Sequence, residues 1–241
     1  PKIRQIEQFS IPQPEQMTMR NGMPLHVIRA GSEDVIRFDL IIKGGQLHQT
    51  LPLQALFTNR MLREGTRTMT SSEIAERLDY YGAWLDLSSS VNCAFVTLYS
   101  LGKYFPKKVE ILASIIKEPV FPEKELRVVT EANKHQFLVN NQRVDVLARK
   151  QLNRSLFGVS HPLGRYAEWE DYDRIHADVL KDFYACHYRS DNCSAYVSGK
   201  VTDEIVRCIE ENFGDEAWGA LNHTVYNRIF TPETDQRKRV F

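Results

Sequence analysis

A helix that holds a metal ion for hydrolysis needs ligands four residues apart on one face, with a carboxylate beside them to take a proton from water. The chain has 241 residues and seven histidines, but no His-x-x-Glu-His and no Glu-x-x-His pattern. The helical stretch 52–66 reads Pro-Leu-Gln-Ala-Leu-Phe-Thr-Asn-Arg-Met-Leu-Arg-Glu-Gly-Thr and places Leu56, Asn59 and Arg60 at that spacing. Zinc takes neutral imidazole or anionic donors. Leu56 offers no donor atom, and the Arg60 guanidinium is protonated at any usable pH. Asn59 cannot act as general base, because an amide does not titrate. Without a metal, water keeps a pKa of about 16 rather than about 7, so the helix has no route to amide hydrolysis. Asn59 and Arg60 then read as surface or pocket residues of an amphipathic helix. Two roles stay open for Arg60: a helix-surface pair with Glu64 four residues on, or a cation in a cleft that meets a carboxylate or the C-terminus of a bound peptide.

The elements that must position these residues follow from periodicity. The first fifteen residues, with Pro12 and Pro14, read as an extended lead-in. Asn21-Gly22 between two strand-like runs marks a hairpin over 18–28. The alternation from 35 to 43 is a strand, ended by Gly44-Gly45. A helix over 52–63 takes Pro52 into its first turn, and Thr70-Ser71-Ser72-Glu73 is a capping box for a second one that stops at Gly82. Strands over 84–90 and 93–100 precede an amphipathic helix over 105–117. Pro122 opens a long helical stretch to about Asn153, broken near Asn140-Asn141. A loop at 161–164, a helix over 177–188, a strand over 194–198 and a helix over 202–213 complete the order. This order predicts an α+β domain over 16–217 with a mostly antiparallel sheet and helices packed on one face, not a doubly wound parallel sheet. Residues 218–241 read as a linker.

Bulk properties exclude several classes. The chain is 42% hydrophobic and 26% charged, with a formal net charge of zero. A core can form, and no electrostatic footprint of a nucleic-acid binder is present. Arg237-Lys238-Arg239 reads as a solvated tail. No stretch approaches the roughly 18 apolar residues of a membrane span. The chain begins Pro1-Lys2-Ile3 without a Met, as a processed or trimmed product would, and a removed export signal stays open. A soluble protein of either the cytoplasm or the periplasm fits this reading. Cys93, Cys186, Cys193 and Cys208 form no Cys-x-x-Cys pair; they read as free thiols rather than a zinc ribbon, with a disulfide left open.

Several motifs carry a resemblance. Anchored on Gly65-Thr66, the stretch 52–66 resembles the His-x-x-Glu-His-x-x-x-x-Gly-Thr helix of the insulinase/pitrilysin (M16, inverted zincin) peptidases, with Leu56 and Arg60 at the histidines and Asn59 at the glutamate. Gly82-Ala83-Trp84-Leu85-Asp86 resembles that family's Gly-x-x-x-Asn turn. Pro119-Val120-Phe121-Pro122-Glu123 resembles its Pro-x-Phe-Pro-Glu helix start, and His161-Pro162-Leu163-Gly164-Arg165 its His-Pro-Tyr-Gly-Arg loop. Phe183-Tyr184, His187-Tyr188 and Asn192 match its Phe-Tyr-x-x-His-Tyr-x-x-x-Asn, and Ser198-Gly199-Lys200-Val201 its strand end.

The resemblance implies the metallohydrolase fold of LuxS and mitochondrial processing peptidase, in one domain of a protein that carries more than one. In active relatives the cofactor is zinc. The window of the third ligand, a glutamate, holds His135 and Gln136 here, with Glu131 a helical turn too early. The resemblance also implies that Trp84, Leu85, Asp86, Leu87 and Ser88 form a sheet edge to which an extended peptide adds as a strand. The function implied is a non-catalytic homologue, a peptide-binding or structural subunit that partners an M16 subunit with an intact zinc motif. Two alternatives stand beside it. One is an active zinc endopeptidase with non-standard ligands, His135 with His48; the other is a pure scaffold subunit.

Overall fold

The computed structural model describes residues 12–220. The hairpin forms from β1 (Glu15–Thr18) and β2 (Pro24–Arg29), with Thr18 opposite Pro24. Asn21 turns the chain: its side-chain oxygen accepts from the Met23 N–H at 3.1 Å, and Gly22 takes a φ of 86° that a side chain would resist. The Asn21 amide also donates to the carbonyls of Phe213 and Glu216, tying the hairpin to the far end of the domain.

β3 (Val35–Ile42) alternates outward and inward side chains along its length. It leads to α1 (Gln54–Met61), whose last turn tightens into a 3₁₀ turn, Leu62–Glu64. Pro52 lies before this helix rather than in its first turn. Leu53 adopts a left-handed φ of 72° and caps the helix, while the Gln54 side chain folds back to accept from the Thr50 N–H and hydroxyl. The capping box forms as read: Thr70 and Glu73 exchange hydrogen bonds at the start of α2 (Ser71–Asp79). Then come β4 (Trp84–Ser89), β5 (Ala94–Leu101) and α3 (Phe105–Lys117). The long helical stretch breaks where expected, into α4 (Glu123–Asn140) and α5 (Val144–Phe157). A 3₁₀ turn at Trp169–Arg174, which periodicity did not signal, precedes α6 (Ala177–His187). β6 (Cys193–Gly199) and α7 (Asp203–Ile209) follow, and a π-helical turn, Glu210–Gly214, extends the last helix.

The six strands lie in the order β1-β2-β6-β3-β5-β4. Every neighbouring pair is antiparallel except β2 and β6, which run parallel. β3 and β6 sit at the centre, and β4 is an outermost strand. One face of the sheet carries Leu25, Val27, Ile36, Phe38, Leu40, Val96, Leu98 and Val197, all fully or almost fully buried. The helices cover this face: the Phe38 ring lies 6.2 Å from Phe105 of α3 and 5.6 Å from Phe213 after α7. The other face is polar and aromatic, with Arg37 bonded to Asp39 and His26 stacked on Tyr196 at 4.4 Å. Trp218 is buried and donates its indole N–H to the Phe213 carbonyl. The basic run at 237–239 lies outside the described residues. All four cysteines are free thiols. No helix among the described residues is long and apolar enough to cross a membrane.

Candidate functional site

α1 packs against β4, β5 and α6, and this packing decides what its three key residues do. Asn59 is fully buried, not a surface or pocket residue as the sequence suggested. Its side-chain N–H groups donate to the carbonyls of Ser88 (2.7 Å) and Phe95 (3.1 Å), and its oxygen accepts from the Tyr188 hydroxyl at 3.1 Å. One amide thus bridges the helix to β4, to β5 and to the end of α6. A buried amide with donors and acceptor all satisfied adds to stability, and an amide is what the position demands: two carbonyls need donors.

Leu56 is half-buried and lines a cleft of about 400 Å³ together with Gln49, Ser89, Ser90, Arg165 and Tyr166. One turn on, Arg60 is half-buried and donates to the Asn133 side-chain oxygen on α4. Asn133 is oriented in turn by its own N–H, which donates to the Val129 carbonyl at 2.7 Å. Burial pulls the Arg60 pKa below its usual value, the neighbouring Tyr172 opposes this, and Arg63 adds to it. The pair with Glu64 that the spacing suggested does not form. Glu64 instead lies 3.5 Å from Arg63, its neighbour in the 3₁₀ turn. Among the described residues Arg60 has no carboxylate within ion-pair distance.

The α4 residue that reaches α1 is Asn133, not His135 or Gln136. Both of these are exposed, and Gln136 bonds along its own helix to Asn140. Two residues turn a helix by about 200°, so Asn133 and His135 lie on opposite faces of α4. Glu131 is also exposed and pairs with Lys134 at 3.6 Å. The groups that meet here are Leu56 and Arg60, at the two histidine positions of the resemblance, and Asn133, which Arg60 reaches: a hydrocarbon, a cation and an amide. This donor set does not fit zinc. His48 does not join His135; its ring lies 5.3 Å from that of His187. Among the described residues no group of three His, Cys, Asp or Glu side chains is arranged to hold a metal ion.

The five residues read as a sheet edge all lie in β4, which is outermost. Trp84 is 67% exposed, Asp86 and Ser88 are exposed, Leu87 is half-buried, and Leu85 points into the core. A cleft borders each end of the strand. The one at its start, about 500 Å³, is lined by Arg63, Ile74, Leu78, Trp84 and Leu85; the one at its end is the Leu56 cleft. The loop at 161–165 shapes this second cleft. His161 is buried and its Nδ1 accepts from the Leu163 N–H, while a side chain on Gly164 would collide with the Gly158 carbonyl at 1.9 Å. Only glycine lets the loop close this tightly and bring Arg165 to the cleft.

His187 packs behind α1. Burial, helped by the charges of His48 and Arg189 and opposed by the Lys43 backbone carbonyl, pushes its pKa down to about 4. An unfolded histidine titrates near 6.5. Between these values the unfolded chain takes up a proton that the folded one refuses, so stability falls as pH falls through this window, by about 3 kcal/mol in all. In urea unfolding from pH 7 to pH 4, the His187→Gln variant is expected to lose about one proton's worth of this slope. An unchanged slope would contradict the assignment.

The chain and its fold have relatives. Residues 29–162 match the family model described as insulinase (peptidase family M16), and residues 174–241 match the model described as the peptidase M16 inactive domain. The chain is 21% identical over 229 residues to the uncharacterized zinc protease YmxG of Bacillus subtilis, covering 93% of this chain and 56% of that protein. It is 27% identical over 206 residues to mitochondrial-processing peptidase subunit alpha-1 of Dictyostelium discoideum, covering 83% of this chain and 31% of the relative. The chain thus spans from about a third to just over half the length of these curated relatives. Among solved structures, a peptidase M16 inactive domain from Pseudomonas fluorescens superposes with a TM-score of 0.79 at 21% identity, over 89% of this chain and 53% of that one. Pitrilysin does so with a TM-score of 0.79 at 18% identity, over 97% of this chain and 25% of its own.

Proposed function

This chain belongs to the insulinase family, peptidase family M16, and we propose that within it the chain is a non-catalytic member that holds extended peptides along β4 and works beside an M16 subunit with an intact zinc motif. The observation that carries this reading is the free edge strand β4, bordered by a cleft at each end, next to a metal position filled by Leu56, Arg60 and Asn133. Strand addition uses backbone hydrogen bonds and needs no metal. Hydrolysis needs an activated water, and these three side chains provide no means of lowering its pKa. The match to a protein named as a subunit of a processing peptidase supports the subunit role. On this reading 16–217 is one domain of the M16 type, and 218–241 leads on from it.

Hydrogen exchange tests the edge. With a random-sequence decapeptide pool present, alternate backbone amides of Trp84–Ser89 are expected to exchange more slowly while the pool stays uncut. Protection that falls elsewhere and spares β4 would overturn the assignment of the peptide site. Cleavage of the pool, blocked by a chelator, would overturn the non-catalytic reading.

A further inference from the structure

Arg60 is a half-buried cation with no counter-charge among the described residues. Several other arginines have a carboxylate partner: Arg37 pairs with Asp39 at 2.8 Å, Arg143 with Asp145 at 2.9 Å, and the buried Arg189 with Asp191 at 3.0 Å. Arg60 has only the neutral Asn133 oxygen. A guanidinium offers five N–H donors in a planar fork that matches a carboxylate, so donors beyond the bond to Asn133 remain for a ligand. Leaving a desolvated charge without a partner is costly, and a ligand carboxylate would relieve that cost.

Its surroundings point the same way. Tyr172 lies close enough for its hydroxyl and the Arg60 guanidinium to affect each other's protonation. The Tyr172 ring is 5.6 Å from Phe137. Lys150 sits over Phe137 at 5.2 Å and over Tyr166 at 5.5 Å, and Tyr166 lines the Leu56 cleft beside Arg165. Neither Lys150 nor Arg165 makes an ion pair among the described residues. Arg165 thus lines the cleft at the end of β4, Lys150 sits over its Tyr166, and Arg60 lies one turn along α1 from its Leu56; among the described residues none of the three makes an ion pair.

We propose that the former metal position is a carboxylate subsite, in which Arg60 takes a free C-terminus or an Asp or Glu side chain of an extended peptide lying along β4. The proposal rests on the reading of β4 as a peptide-binding edge. Cation and carboxylate meet without bond making or breaking.

Fluorescence anisotropy with four labelled decapeptide pools tests it. One pool has free C-termini but no Asp or Glu, one is amidated but retains Asp and Glu, one has both carboxylate sources, and one has neither. The pool with both is expected to bind at least tenfold more tightly than the pool with neither, and the two intermediate pools tell which source matters. Arg60→Gln keeps a donor for Asn133 and is expected to remove the difference in affinity between the pools. The comparison on the unaltered protein stands even if that variant folds poorly. Equal binding of all four pools would overturn the carboxylate subsite and leave the edge-strand reading intact. A preference that survives in a folded Arg60→Gln variant would overturn the role of Arg60. Binding of no pool would sink the edge-strand reading and the subsite together.

Discussion

Asn59→Glu, which introduces the glutamate of the motif that 52–66 resembles, is expected to destabilise the domain by about 3–5 kcal/mol. The reason is geometric. Asn59 is fully buried, and both its donors are spent on the carbonyls of Ser88 and Phe95. A carboxylate has no donor when ionised and faces two oxygens there. It must stay protonated, or force α1 away from β4 and β5, and either costs much of a domain's marginal stability. Asn59→Ala is expected to cost less, about 2–4 kcal/mol, by removing the amide's bonds to the Ser88 and Phe95 carbonyls and leaving the buried Tyr188 hydroxyl unpaired. Urea unfolding measures both. A glutamate variant as stable as the unaltered protein would show that Asn59 is not the bridge described.

The second large effect concerns metal. Leu56→His, Arg60→His and Asn133→Glu together place two imidazoles and a carboxylate on the faces of α1 and α4 that now meet through Arg60 and Asn133. That set fits zinc in type and number. The triple variant is expected to bind one zinc ion and gain about 4 kcal/mol of stability at a thousandfold excess over Kd. The same pair of histidines with Gln136→Glu in place of Asn133→Glu is expected to bind no zinc tightly, because Gln136 points to solvent from α4. Tight zinc in this control, or none in the triple variant, would contradict the placement of Asn133. Peptide hydrolysis is expected in neither, since the base at 59 is still an amide.

Much of the frame was readable from local signals. Asn21-Gly22, the Thr70/Glu73 capping box and the Asn140-Asn141 break each mark a boundary with a short-range mechanism, and each boundary lies where it was read. The outermost position of β4 was also legible, from the resemblance. Non-local facts were not. The parallel pairing of β2 with β6 joins residues almost the length of the domain apart. The burial of Asn59 depends on β4, β5 and α6 arriving together. Asn133 faces Arg60 through the angle between two helices, and counting along one chain does not fix that angle. Pro52 shows a smaller limit of the same kind: a tertiary bond from Gln54 to the Val179 carbonyl and the left-handed Leu53 set the helix start, overriding the preference of proline for a first turn.

The central claim is that this M16 domain has replaced its metal by Leu56, Arg60 and Asn133. Equilibrium dialysis of the unaltered protein against zinc, followed by elemental analysis, tests it most directly. The account predicts no stoichiometric zinc at concentrations that saturate the Leu56→His, Arg60→His, Asn133→Glu variant. One tightly held zinc per chain, lost on mutation of Asn133 or of a nearby histidine, would contradict it.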